Sequence, residues 1–199
     1  QDAGFLKLNK LGNIVVQNSF NLFNRDHSGF IRMKNFIKAT KCSYFLSAST
    51  SMFTKYALVL TKINRTTLDT IKVAIYKDAN YNLSMNSLTK LSENKYFLIG
   101  NKWSVTDTPI IFQLDSNLTI TNTITITNPP TNFTYESAIW NPITKKFLLH
   151  GKILEAQRPI ALFHVDTLGI VSNSSTSISS FTTSLVQSFV SGYDSSYVC

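Results

Sequence analysis

In the stretch LTITNTITIT, residues 118–127, apolar and polar positions alternate except at Asn122, so every second side chain points the same way. That is the period of a half-buried β-strand. Short apolar runs rich in Phe, Tyr, Ile, Val and Thr recur along the chain, bounded by turn formers such as ATKC, SENK and NPITKK. The few stretches with helical spacing, such as MKNFIKATK, have no cap residue and no apolar stripe of useful length. The pattern predicts an all-β chain.

The runs also repeat. Asn9, Asn64, Asp115 and Asp166 stand 55, 51 and 51 residues apart, and each follows an apolar residue: Leu8, Ile63, Leu114 and Val165. A further apolar residue comes five positions later at Ile14, Ile120 and Val171, and one position earlier at Leu68. An Asn or Asp there can bond its side-chain oxygen to the backbone two residues on, and Gly12 and Gly169 supply the positive φ of a tight return. Where Thr67 and Leu118 replace that glycine, a different turn is expected. A second phrase shares the period: YFLSA at 44–48, YFLIG at 96–100, FLLHG at 147–151 and a shortened SFVSG at 188–192. Each unit of about 51 residues therefore holds about four strands.

Four-stranded units in tandem are the sequence form of a β-propeller, or of a propeller-like array of antiparallel blades, because one blade cannot bury both its faces alone. The expected architecture is a single domain over residues 1–199 with about four units. The chain opens on a strand that elsewhere sits mid-unit and ends where the matching strand would begin. Its two ends thus read as complementary halves of one blade, and four units either close on themselves or belong to a longer chain. With no initiator Met or leader at its start, the chain reads as processed or as a fragment.

The phrase GFLKLNKLGNIV resembles the repeats of secreted and cell-surface β-propellers, in which a strand of the form F-x-K-L-D/N-x-x-G-N-I ends in a polar turn. The paired glycines of kelch repeats, the Trp-Asp ending of WD repeats and the Asp-box of sialidases are missing. The resemblance implies a rigid display scaffold, often extracellular, and no particular ligand.

Composition changes this picture little: 43% hydrophobic and 15% charged residues suit a folded globular chain, and no run of eighteen apolar residues suggests a transmembrane helix. The net charge of +8 sits in the first half, but its lysines come singly, which does not favour nucleic acid as a partner. Five Asn-x-Ser/Thr sequons, at Asn64, Asn82, Asn117, Asn132 and Asn173, are candidate N-glycosylation sites. Two cysteines, Cys42 and Cys199, fit no metal or redox spacing and are a candidate disulfide if the chain closes as a ring.

No catalytic constellation stands out. Asp26, His27 and Ser28 are adjacent on one turn, whereas a triad converges from separate positions. Glu93, Glu136 and Glu155 are scattered, and His150 and His164 lack a Cys, Asp or Glu at matching spacing. No metal and no cofactor is therefore expected. Trp103, Trp140, Tyr135, Tyr193 and Tyr197 lie in or beside loops, where rings pack between blades or stack on sugars. The expected function is a non-enzymatic extracellular binding or assembly module presenting loops to a protein or glycan. Alternatives are a fibre or sheath subunit that self-associates through open edge strands, and a sugar-active propeller hydrolase or lyase.

Overall fold

The computed structural model describes residues 2–21, 31–51, 55–129, 133–153, 160–177, 190–191 and 197–198. Within them the chain is all-β, without helix. β1 (Asp2–Leu8) and β2 (Ile14–Asn21) form a two-stranded ribbon. Three four-stranded antiparallel sheets follow in chain order. The first holds β3 (Ile31–Lys38), β4 (Ser43–Thr50), β5 (Ala57–Asn64) and β6 (Thr70–Tyr76). The second holds β7 (Asn82–Ser92), β8 (Lys95–Trp103), β9 (Asp107–Leu114) and β10 (Ile120–Thr125). The third holds β11 (Phe133–Asn141), β12 (Lys146–Ile153), β13 (Ile160–Asp166) and β14 (Val171–Ser177). A short ribbon of β15 (Val190–Ser191) and β16 (Tyr197–Val198) ends the described chain. Among the described residues β1–β2 and β15–β16 remain separate sheets.

The continuous apolar runs are explained by sheets covered on both sides. Along β8, Tyr96 and Leu98 face back to the first sheet and pack with Phe45, Leu58 and Leu60. Phe97 and Ile99 face forward and pack with Phe147, Leu149 and Phe163 of the third sheet. All four β8 residues are fully buried, so successive positions are apolar although their side chains alternate. The fourth strand of each unit lies at the sheet edge, and β6 is correspondingly exposed along most of its length. β7 packs against β3, β4 and β5, and β11 packs against β7, β8 and β9, so the first strands of successive sheets adjoin.

The units share irregularities as well as strands. Each first strand carries an extra residue against the second at the same place, Lys34 in β3, Asn86 in β7 and Glu136 in β11, and β7 carries another at Leu91. Each fourth strand carries one against the third: Val15, Ile71, Thr121 and Asn173. A bulge at the same place in every unit increases local twist there. It also leaves backbone groups unpaired, and at the second junction these are taken up across the sheets. The Tyr135 carbonyl accepts from Asn86 Nδ2 at 2.8 Å and Asn101 Nδ2 at 3.0 Å. The Tyr135 N–H donates to Asn101 Oδ1 at 3.3 Å, and the Ala138 N–H donates to Ser87 Oγ at 2.8 Å.

The hairpin turns correct one expectation. Asn9, Asn64, Asp115 and Asp166 each accept through Oδ1 from the N–H two residues on, at Leu11, Thr66, Asn117 and Leu168. Leu118 does not force another turn: it adopts φ 63°, beside 83° and 86° at Gly12 and Gly169, and its N–H donates to the Asp115 carbonyl just as theirs do to Asn9 and Asp166. The Asn64 turn is one residue longer, with the left-handed position at Leu68. Leu68 is thus the counterpart of Leu118 and not of Ile14. A left-handed leucine costs roughly 1–2 kcal/mol. Both leucines are buried, which stabilises by about 1.5–3 kcal/mol and offsets that cost.

Candidate functional surfaces

The antiparallel order puts the Asx turns and the β3–β4, β7–β8 and β11–β12 turns at one end of the sheets, and the β4–β5, β6–β7 and β8–β9 connections at the other. The turn end is used internally. Lys7 Nζ donates to the Arg65 carbonyl at 3.4 Å, and Lys62 Nζ donates to the Ser116 carbonyl at 2.9 Å. Each lysine stands two residues before its own Asx residue and reaches the carbonyl one residue past the next. Lys72 Nζ donates to the Asn117 carbonyl at 2.8 Å, and Tyr76 OH donates to the Leu118 carbonyl. Three lysines of the basic half, Lys7, Lys62 and Lys72, therefore serve as joints between units.

The opposite end carries an aromatic and cationic patch. Tyr56 and Trp103 lie with ring centroids 5.6 Å apart, and Lys102 Nζ sits 4.2 Å from the Tyr81 ring centroid. The backbone around Tyr56 is fixed from two sides: its N–H donates to Asn82 Oδ1 at 2.8 Å and its carbonyl accepts from the Leu83 N–H at 3.0 Å. Lys55 Nζ donates to the Asn80 carbonyl at 2.6 Å, tying the β4–β5 and β6–β7 connections together. Tyr56 is 45% exposed, so its ring offers a held and accessible face. Such a surface can stack on a sugar ring or seat an apolar side chain, with lysines nearby for an anionic group. Only Trp103 of this patch stands out in the sequence; Tyr81, 22 residues away, is brought in by the β7–β8 pairing, and Tyr56, 47 residues away, by sheet stacking.

The other singled-out residues lie apart. Trp140 packs on Phe147 at 4.7 Å, and Tyr135 is buried, which pushes its phenol far above the ordinary range and keeps it protonated. Tyr193, His27, Asp26, Ser28 and Glu155 fall outside the described residues, as does the side chain of Tyr197. Asn117 is exposed, while Asn64 and Asn82 are half-buried with Oδ1 engaged in hydrogen bonds. Asn132 lies outside the described residues, and Asn173 is placed on β14 by its backbone alone. Cys42 is exposed on the β3–β4 turn, and Cys199, its expected partner, lies outside the described residues. Among the described residues no three His, Cys, Asp or Glu side chains group as metal ligands. None of the helix-free described chain forms a helix long and apolar enough to cross a membrane.

His150, Glu136 and Lys152 form a titratable cluster on the third sheet. Glu136 Oε1 accepts from Lys152 Nζ at 2.7 Å, and Oε2 lies 3.8 Å from His150 Nδ1. Burial lowers the His150 pKa below the ordinary 6.5; Glu136 raises it and Lys152 lowers it. His164 is lowered too, by burial and then by Lys146. The unfolded chain therefore takes up protons before the folded one as pH falls through the ordinary histidine range. Stability is accordingly expected to be full above that range and to decline below it. His150→Ile, the residue that stands there as Ile99 in the preceding unit, should flatten part of the decline. Urea midpoints of both proteins across this pH range check the sign, and a wild-type midpoint that rises on acidification contradicts it.

Comparison with known proteins found no matching family, no similar curated protein and no similar solved structure.

Proposed function

We propose that this chain is a β-propeller-type scaffold working outside the cell or on its surface, and that its β4–β5, β6–β7 and β8–β9 connections bind a glycan or protein partner. The propeller reading is supported by tandem four-stranded sheets with first strands adjoining and fourth strands at the edge, the radial order of blades. The observation that carries the binding reading is the patch of Tyr56, Trp103, Tyr81 and Lys102. The backbone at Tyr56 is held from two sides and its ring packs on Trp103, so less conformational entropy is lost when a ligand covers them. The rings with adjacent lysines favour a glycan bearing acidic groups as the first ligand class.

Only two tryptophans are present, so Trp140→Phe leaves Trp103 as the sole fluorescent reporter. Titration of that variant with acidic and neutral oligosaccharides, and with surface proteins, is expected to change Trp103 emission for at least one ligand. Tyr56→Ala or Lys102→Ala should weaken that binding about tenfold, the loss typical of a central contact. A ligand that binds the chain without disturbing Trp103, or that is indifferent to both variants, places the site elsewhere.

A further inference from the structure

We propose that this chain lies on an anionic lipid membrane through the turn end of its sheets, apolar turn tips entering the headgroup layer and the lysines around them facing anionic lipids. Among the described residues four large apolar side chains are more than 70% exposed, and three of them, Leu11 at 84%, Leu168 at 73% and Ile143 at 72%, sit at that end. Exposed apolar residues scattered singly are ordinary, but these three hold the same place in their turns. Each stands two residues after an Asn or Asp that accepts its N–H: Leu11 donates to Asn9 Oδ1 at 2.9 Å, Ile143 to Asn141 Oδ1 at 2.9 Å and Leu168 to Asp166 Oδ1 at 2.8 Å. The turn therefore holds the tip in place before any contact is made. It also satisfies within the protein an N–H that would otherwise have to keep its water on entering lipid. Ile143 and Leu168 lie at one end of one sheet, where Lys146 pairs with Asp166, so their turns are two strand spacings, roughly 10 Å, apart.

Charge singles out the same end. Its seven turns, taken with three strand residues on either side of each, hold eleven Lys or Arg against four Asp or Glu, a surplus of seven out of the +8 of the whole chain. Lys10, Lys41 and Lys145 are exposed on the turns themselves, Lys10 next to Leu11 and Lys145 two residues from Ile143. Lys7, Lys62 and Lys72 donate to carbonyls, which are neutral, so their charge is not cancelled by the joints they make. A surface of this sign attracts any polyanion, and the apolar tips choose among them. A polysaccharide or a nucleic acid offers charge but no layer that takes up a leucine, whereas the interface of an anionic bilayer offers both. Seated in this way, the chain turns the Tyr56 and Trp103 patch, at the opposite end of the sheets, away from the bilayer. The inference does not depend on the ligand proposed for that patch.

Flotation of the 199-residue chain with lipid vesicles tests it. The chain is expected to float with phosphatidylcholine vesicles containing about 30% phosphatidylserine, to be released as salt is raised, and not to float with phosphatidylcholine alone. Ile143→Glu and Leu168→Glu should each weaken the association at least about tenfold, and Lys145→Ala about fivefold. Their urea midpoints should stay close to that of the wild type, because these side chains are already exposed. In Trp140→Phe, whose one tryptophan is Trp103, vesicles should leave the emission unchanged, and adding Leu168→Trp should give a component that shifts to the blue. Absence of flotation with the anionic vesicles overturns the proposal. So does flotation that survives both Glu substitutions, which would leave charge alone as the cause and mark a site for polyanions in solution. A vesicle-induced change in Trp103 emission would put the membrane at the other end and overturns it too. An N-glycan on Asn117, on the second sheet's Asx turn, would hold this end off a bilayer, so a glycan mapped there in the native protein has the same force.

Discussion

Gly100→Ala is expected to destabilise the chain by about 3 kcal/mol, the upper end of what one extra methyl costs in a packed interior. Gly100 is buried on β8 opposite Met85, at the edge of the β7 bulge. A Cβ added there would lie 2.6 Å from the Met85 Cα and closer still to the Ser84 carbonyl oxygen. Both are backbone atoms of the paired strand, so no rotamer change relieves the contact; the strands must part. Gly151 repeats the arrangement on β12 against Thr134 and Phe133. In the first sheet the corresponding residue is Ala48, which carries its methyl while buried. Ala48→Gly should therefore cost only about 1–2 kcal/mol, the conformational entropy of a glycine in a strand plus the burial of one methyl. Urea unfolding of the two variants checks the asymmetry, and equal losses would show that the close approach of the Ser84 and Met85 backbone does not set the glycine requirement.

Asn101→Leu should cost about 2–4 kcal/mol although the replacement is similar in size. Asn101 is buried, and its amide holds both the N–H and the carbonyl of Tyr135 in the next sheet. The carbonyl retains Asn86 as a donor, but the N–H loses the acceptor that Asn101 gives it. A buried donor left without an acceptor costs about 1–3 kcal/mol, and the misfit of leucine against the polar joint adds to it. Asn86→Ala should be milder, because Asn101 still serves the same carbonyl. A double-mutant cycle over Asn86 and Asn101 measures their shared dependence on Tyr135. Losses at Asn101 no larger than at Asn86 would refute the ranking.

Both predictions lie beside the first-strand bulges, and the bulges mark where sequence reading stops. Lys34, Asn86 and Glu136 occupy the same place in three units yet share neither charge nor size. No residue type is required of an extra position, only an extra position, so nothing in the composition reveals it. The same holds for Leu118: a missing glycine reads as a different turn, because local sterics oppose a left-handed leucine, but the energy of burying its side chain among residues of two sheets prevails.

The sequence alone determined the strands and their tandem units, since alternation, turn formers and a fixed period depend on contacts within about fifty residues. Stacking decided the rest. The pairing of Tyr56 with Trp103, the placement of Lys62 on the Ser116 carbonyl and the exposure of Leu8 beside the burial of Ile63 all depend on which sheet lies against which. Leu8 and Ile63 are both apolar and each directly precedes an Asx turn. One is buried and the other is not because burial belongs to the neighbour, and a neighbour is not written in the residue it covers.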